Sequence, residues 1–86
     1  MHFSQWLRKR ILDAQITQRE LAEQLQKSPA TVSNWLAERH TPTDPDDIVN
    51  IAMFFSPTPE KIGHVLLDLM LSMQYTMQHP PQKEQS

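Results

Sequence analysis

Small hydrogen-bonding side chains are concentrated in residues 28–34 of the chain, SPATVSN. Thr31 and Asn34 have the chemistry to read base edges, because an asparagine amide can bond adenine at two points and a threonine methyl can contact the methyl of thymine. Ser33 could reach a base or a phosphate. The alternatives are hydrogen bonding within a helix or simple exposure to solvent. The elements that hold the segment decide between these interpretations.

Other chemistries have little support in the sequence. The 86-residue chain contains no Cys, which excludes disulfides, thiolate zinc sites and Cys nucleophiles. Its four His residues are scattered without ligand spacing, and Asp44, Asp46 and Asp47 lack the full calcium-loop pattern. No Ser/His/Asp arrangement or pair of carboxylates indicates catalysis. We therefore expect neither an enzyme nor a cofactor nor a bound metal.

The size of the chain predicts one domain, over residues 1–78, followed by a disordered polar tail, residues 79–86. The most apolar segment, residues 62–73, is roughly half of the ~20 residues that a membrane span needs. No signal peptide is evident. Together with the absence of Cys, these features lead us to expect a cytoplasmic protein without membrane contact.

The charge is unevenly distributed along the chain. Residues 1–40 hold six Lys/Arg and four acids, whereas residues 41–86 hold two Lys/Arg and six acids, so the net charge is −2. A polarised chain can present a basic face to phosphate despite an acidic total, although ordinary solvated surface is the alternative. The run Arg8-Lys9-Arg10 has the same two interpretations.

The spacing of apolar residues predicts helices and almost no strand. Phe3, Leu7 and Ile11 recur every four residues, which predicts a first amphipathic helix over residues 3–14, and Leu12 should widen its apolar stripe.

The next two helices have well-marked ends. Thr17 is followed three residues later by a glutamate, which is the pattern of a capping box, and this second helix should end near Leu25 or Gln26. Ser28 suits the N-cap of a third helix and Pro29 its first position, where the missing N–H costs nothing. The residues of the third helix that should face the core are Val32, Trp35 and Leu36.

Two further helices are expected. Asp44 or Thr43 should cap a fourth helix that begins at Pro45, and a fifth helix should occupy about residues 59–77. Two short helices joined by a tight turn, within five helices, indicate a helix-turn-helix in an all-α fold. Ala22 should lie where the two short helices cross, because a small residue is needed there.

These residues resemble a known family. The segments TQRELA and KSPATVSNW, the loop RHTPT and the pair Ile51-Ala52 are similar in type and spacing to the helix-turn-helix of lambda-repressor and Cro-like (XRE-type) regulators, over residues 3–56. The resemblance implies a five-helix DNA-binding domain. Three positions depart from the usual pattern: Gln26 replaces a turn glycine and must accept a left-handed conformation, Leu36 replaces a glutamate, and Pro29 replaces a polar base-reading residue.

The resemblance implies a role for each exposed residue of the unit. The second of its helices enters the major groove of double-stranded DNA and the first lies across the backbone. The residues expected to contact bases are Pro29, Ala30, Thr31, Ser33 and Asn34. The residues expected to contact phosphates are Gln18, Arg19, Lys27, Ser28, Arg39 and His40. Trp35 is expected in the core rather than stacked on a base.

The fifth helix has more apolar residues than one face of a small domain can cover. We expect one face to complete the core and another to form a homodimer interface. The residues assigned to that interface are Val65, Leu67, Met70, Leu71 and Met73. The function that we expect is a transcriptional repressor of phage or plasmid type that binds a palindromic operator as a homodimer. The alternatives are an antitoxin-like autorepressor with a protein partner and a protein-interaction module that has lost DNA binding.

Overall fold

A computed structural model describes residues 1–80 as helices joined by short loops. The helices are α1 (Phe3–Ala14), α2 (Gln18–Leu25), α3 (Pro29–Leu36), α4 (Pro45–Phe55) and α5 (Ile62–Gln78). A single 3₁₀ turn, Pro59–Lys61, precedes α5 where the sequence predicted the helix itself to start. No strand occurs in this part of the chain, so the predicted all-α, five-helix fold is confirmed. Most of the predicted disordered tail, residues 81–86, lies outside the described residues.

Side chains cap the helix starts as the sequence predicted. The Thr17 hydroxyl accepts the backbone N–H of Glu20 at 3.0 Å, and the Glu20 carboxylate accepts that of Thr17 at 2.8 Å. The Ser28 hydroxyl accepts the N–H of Thr31 at 3.2 Å, while Asp44 caps α4. These bonds satisfy donors that a helix N-terminus leaves without intrahelical partners, and they fix where α2 and α3 begin.

Three non-glycine residues in residues 1–80 have left-handed backbone conformations. They are Gln15 and Gln26, which follow α1 and α2, and Glu38, which follows α3. The φ of Gln26 is 58°, so the prediction that it must accept this conformation is confirmed. A left-handed residue at a helix end ends the helix and turns the backbone sharply, and here it lets successive helices pack against one another.

The core lies between all five helices. Leu21, Val32 and Ile51 are completely buried, and the indole of Trp35 is held edge-on against Phe3. The buried apolar side chains are Phe3, Trp6, Leu7, Ile11, Leu21, Ala22, Leu25, Val32, Trp35, Leu36, Ile51, Ala52, Val65 and Leu69. The expectation for Leu12 was wrong: its side chain is 72% exposed, because one step along α1 from Ile11 turns it away from the neighbouring helices.

Helix α5 packs one face on α1 and α4 and leaves the other uncovered. Val65 and Leu69 are buried in the chain's own core, and Met73 packs against it. Val65 was therefore wrongly assigned to a dimer interface, and much of Met73 is already covered by its own domain. The outward side chains Leu67 and Met70, together with Leu71, are each about half exposed. None of the helices in residues 1–80 is long and apolar enough to cross a membrane.

Candidate nucleic-acid interface

The α2–turn–α3 unit is a compact pair of helices with a shared apolar contact. Leu21 and Ala22 of α2 and Val32 of α3 are all completely buried. The turn is fixed by the left-handed Gln26 and by a 2.8 Å bond from the N–H of Lys27 to the carbonyl of Ala22. The orientation of α3 is thus set by the core, which leaves its opposite face available for contacts with another molecule.

That opposite face contains the five residues predicted to contact bases. Pro29, Ala30 and Ser33 are exposed, whereas Thr31 and Asn34 are half-buried. The structure brings them together on the first six residues of α3, within two helical turns. This arrangement combines a proline ring, methyl groups, hydroxyls and one amide, which are groups able to contact base edges in a major groove. Trp35 is buried with 3% exposure, so its predicted place in the core is confirmed.

Two of these polar side chains already have partners in the free chain. The hydroxyl of Thr31 lies 2.9 Å from that of Ser28, within the N-cap of α3. The amide oxygen of Asn34 accepts a 3.3 Å bond from the guanidinium of Arg39, which follows the helix. In the free chain, each of these two side chains is therefore held in one orientation by a local bond.

The residues predicted to contact phosphate differ in whether their side chains are exposed or already paired within the chain. Gln18 and Arg19 are exposed in the first turn of α2, beside its capping box. Lys27 instead forms a 3.0 Å ion pair with Asp47 of α4, whose side chain is only 16% exposed. His40 is exposed in the loop after α3. Lys27 would have to exchange this carboxylate for a phosphate, whereas Gln18 and Arg19 would not.

The basic run of α1 is occupied within the chain. The guanidinium of Arg8 donates a 3.2 Å bond to the carbonyl of Leu36 at the end of α3, where cations suit the helix dipole. Lys9 pairs with Asp13 at 3.3 Å, and Arg10 pairs with Asp68 at 3.7 Å while lying 5.2 Å from the ring centroid of Trp6. Arg8 therefore connects α1 to α3 and Arg10 connects it to α5, whereas Lys9 pairs within α1 itself.

Sequence reasoning missed the contact that holds the end of α3. Ser4, which is 5% exposed, donates a 2.8 Å bond from its hydroxyl to the carboxylate of Glu38. Glu38 has a φ of 63°, and Arg39 follows it. Neither a glycine nor an asparagine marks this left-handed position in the sequence, and 34 residues separate the two partners, so no local pattern could have revealed the contact.

Comparison with known proteins identifies the family. A family model described as helix-turn-helix, HTH_3, matches residues 7–60, which is more than half of the chain and includes all of α2, α3 and α4. No curated protein and no solved structure matches the chain closely enough to be counted as similar. Regulators of this family are not typically enzymes. The chain therefore belongs to the HTH_3 family of XRE-type, lambda-repressor- and Cro-like helix-turn-helix proteins, and its function class is that of a DNA-binding transcription regulator.

Proposed function

We propose that the protein is a transcriptional repressor of phage or plasmid type that binds a palindromic operator as a homodimer. The observation that carries the proposal is the solvent-facing side of α3, formed by Pro29, Ala30, Thr31, Ser33 and Asn34, on a helix whose other side is packed into the core. A surface of this kind on the second helix of a helix-turn-helix fits the major groove, with α2 across the backbone.

Each side chain of the interface has a proposed role that follows from its chemistry. Thr31 and Asn34 contribute most of the base discrimination, since an amide and a hydroxyl can match particular donor and acceptor patterns in the major groove. Ala30 offers a methyl group to thymine. Gln18 and Arg19, exposed at the positive end of α2, bond phosphate oxygens and set the register of the protein on the duplex.

The outward face of α5 is the proposed dimer interface. Leu67, Met70 and Leu71 are 56%, 54% and 52% exposed, and they form one apolar surface along the helix. Gly63 lies one turn before Leu67 on the same face, and a side chain there would meet no atom of its own chain within 4 Å. Exposed apolar surface of this kind favours a protein contact. A two-fold dimer would place two copies of α3 about 34 Å apart, one turn of DNA.

A second candidate uses the same surface for a different protein. In an antitoxin-like autorepressor, Leu67 and its neighbours would hold a partner instead of a second copy. The exposed apolar side chains favour a protein contact of either kind. The oligomeric state of the pure protein distinguishes the two, because a homodimer forms without any addition.

Selection from a random duplex pool tests the proposal. Purified protein at near-physiological salt should enrich an inverted repeat with half-sites about 10 base pairs apart. Asn34→Ala should then relax one position of each half-site. Asn50→Ala is the matched control, since Asn50 is an exposed asparagine of α4 and lies outside the base-contacting set. Failure to enrich any site, with no binding even at low salt, would contradict DNA recognition.

A further inference from the structure

An arginine that follows α3 lies beside the residues of that helix proposed to contact bases. Helix α3 contains no basic residue, yet Arg39 extends back so that its Nη1 donates to the Oδ1 of Asn34 at 3.3 Å. Arg39 is exposed, and within residues 1–80 it forms no ion pair with a carboxylate. Its charge is therefore not neutralised by the described part of the chain, and its guanidinium lies beside the residue best suited to adenine.

This placement is built into the fold at three points. Glu38 has a φ of 63°, which reverses the chain after α3. The backbone N–H of Arg39 donates to the carbonyl of Asn34 at 3.0 Å, so the backbones are tied together as well as the side chains. The buried Ser4 bonds the Glu38 carboxylate at 2.8 Å and thereby connects the turn to α1. A side chain presented by such a fixed turn loses less conformational entropy on binding than one on a free loop.

We propose that Arg39 reads a guanine in the operator and that Asn34 and Arg39 recognise two neighbouring base pairs as one hydrogen-bonded unit. The inference deepens the proposed function and rests on it. The two bonded atoms are 3.3 Å apart, which is close to the rise of about 3.4 Å between successive base pairs. Their side chains can therefore address adjacent positions in the groove without separating.

The hydrogen-bonding capacity of the two groups allows this arrangement. Arginine only donates, so its bond requires the amide oxygen of Asn34 to face it and fixes which way the amide points. That oxygen keeps a second lone pair for the N6 amino group of adenine, while the Asn34 NH₂ donates to adenine N7. Arg39 has five N–H donors and uses one on Asn34, which leaves donors for the O6 and N7 of guanine.

The competing role for Arg39 is the phosphate contact expected from the sequence. The two roles leave different signatures. Loss of a base-reading arginine relaxes one position of the site, whereas loss of a phosphate contact weakens binding uniformly across sequences and makes the salt dependence shallower. The proposed pairing adds a third signature, since removing Arg39 releases the amide of Asn34 and should also reduce discrimination at the neighbouring adenine.

The test measures binding of the full chain to the selected duplex and to all single-base variants of one half-site. Arg39→Ala should reduce preference for one guanine by about 5- to 150-fold and weaken preference for the adjacent adenine. Arg39→Lys should lose the guanine preference as well, because an ammonium keeps the charge but not the planar fork. Arg19→Ala is the matched arginine substitution, expected to weaken binding to every duplex by the same factor. Circular dichroism verifies that each variant is folded.

Three outcomes are distinguishable. A guanine preference that disappears in both Arg39 variants, with the adjacent adenine affected, supports the inference. An Arg39→Ala variant that behaves like Arg19→Ala overturns it and leaves the proposed DNA recognition standing. If the unmodified chain binds no duplex even at low salt, the proposed function and this inference fail together.

Discussion

Replacing Gln26 with glycine should stabilise the protein. Gln26 connects α2 to α3 at a φ of 58°, and its side chain is exposed. The left-handed conformation costs a residue with a side chain about 1–2 kcal/mol, and glycine avoids this cost. Glycine also makes the unfolded chain more flexible, which lowers stability by about 0.5–1 kcal/mol. The net gain in the free energy of unfolding should therefore be about 0.5–1 kcal/mol. For a domain of this size, that gain raises Tm by about 2–8 °C.

Glu38 provides the matched control, because it has the same left-handed backbone conformation as Gln26 but its side chain is hydrogen-bonded. Its φ is 63°, but its carboxylate accepts the hydroxyl of the buried Ser4. Glu38→Gly gains the same backbone term and leaves that hydroxyl without its partner, which costs about 1–3 kcal/mol. The backbone gain of about 0.5–1 kcal/mol is no larger than this cost. The free energy of unfolding of the variant should therefore be unchanged or lower by up to about 2.5 kcal/mol.

Urea denaturation followed by circular dichroism measures both effects. In a Ser4→Ala background there is no hydroxyl to leave unpaired, so Glu38→Gly should become stabilising by about as much as Gln26→Gly. This change of sign isolates the Ser4–Glu38 bond from the backbone term. The reasoning is refuted if Gln26→Gly lowers the midpoint, or if Glu38→Gly has the same effect with and without the Ser4 hydroxyl.

Three further predictions concern packing, assembly and phosphate contact. Ala22→Leu should destabilise the fold by about 1–3 kcal/mol in urea, because Ala22 is completely buried in the core and a larger side chain would have to displace its neighbours. Leu67→Asp should convert the proposed dimer to a monomer in sedimentation, whereas Leu12→Asp, at an even more exposed leucine of α1, should not; a dimeric Leu67→Asp protein would exclude this face as the dimer interface. Gln18→Ala should weaken binding to all duplexes about equally, and a loss confined to one base position would contradict the phosphate role.

The parts of the structure that the sequence predicted are those with local causes. The bounds of α1 follow from apolar residues four apart, and the start of α2 follows from a threonine and a glutamate three apart. Both patterns describe interactions within one or two helical turns. The exposed face of α3 was predicted for the same reason, since Val32 and Trp35 fix which side of the helix is buried.

The parts that it missed depend on contacts between distant residues. Val65 and Leu67 are both apolar residues of α5, and only the positions of α1 and α4 decide that the first is buried and the second exposed. The partner of Ser4 lies 34 residues away, in a turn without a glycine. Apolar content predicts that a helix is crowded, but the side on which its neighbours lie is a property of the assembled fold.

The assembled contacts also limit how many phosphates the protein can neutralise. Of the six basic side chains in residues 1–40, three pair with a carboxylate within residues 1–80: Lys9, Arg10 and Lys27. Arg8 and Arg39 bond only neutral oxygens there and Arg19 forms no such ion pair, so a dimer offers four to six cations, depending on whether Arg39 reads a base. Because log K falls with log[salt] with a slope of about −0.9 per neutralised phosphate, we expect a slope of about −4 to −5. All six side chains acting in both protomers would instead give a slope of about −11.

One substitution tests whether the intramolecular pairs really limit the slope. Asp47→Asn removes the carboxylate that holds Lys27 at 3.0 Å while keeping the size of the side chain. If Lys27 then reaches phosphate in both protomers of the dimer, the slope should steepen by about 2. Asp46→Asn, on the exposed neighbouring aspartate in the same turn of α4, removes the same charge without releasing Lys27 and should leave the slope nearly unchanged. An unmodified protein whose slope is already near −11 would show that these ion pairs open on DNA, and the free chain's contacts would then not determine its affinity.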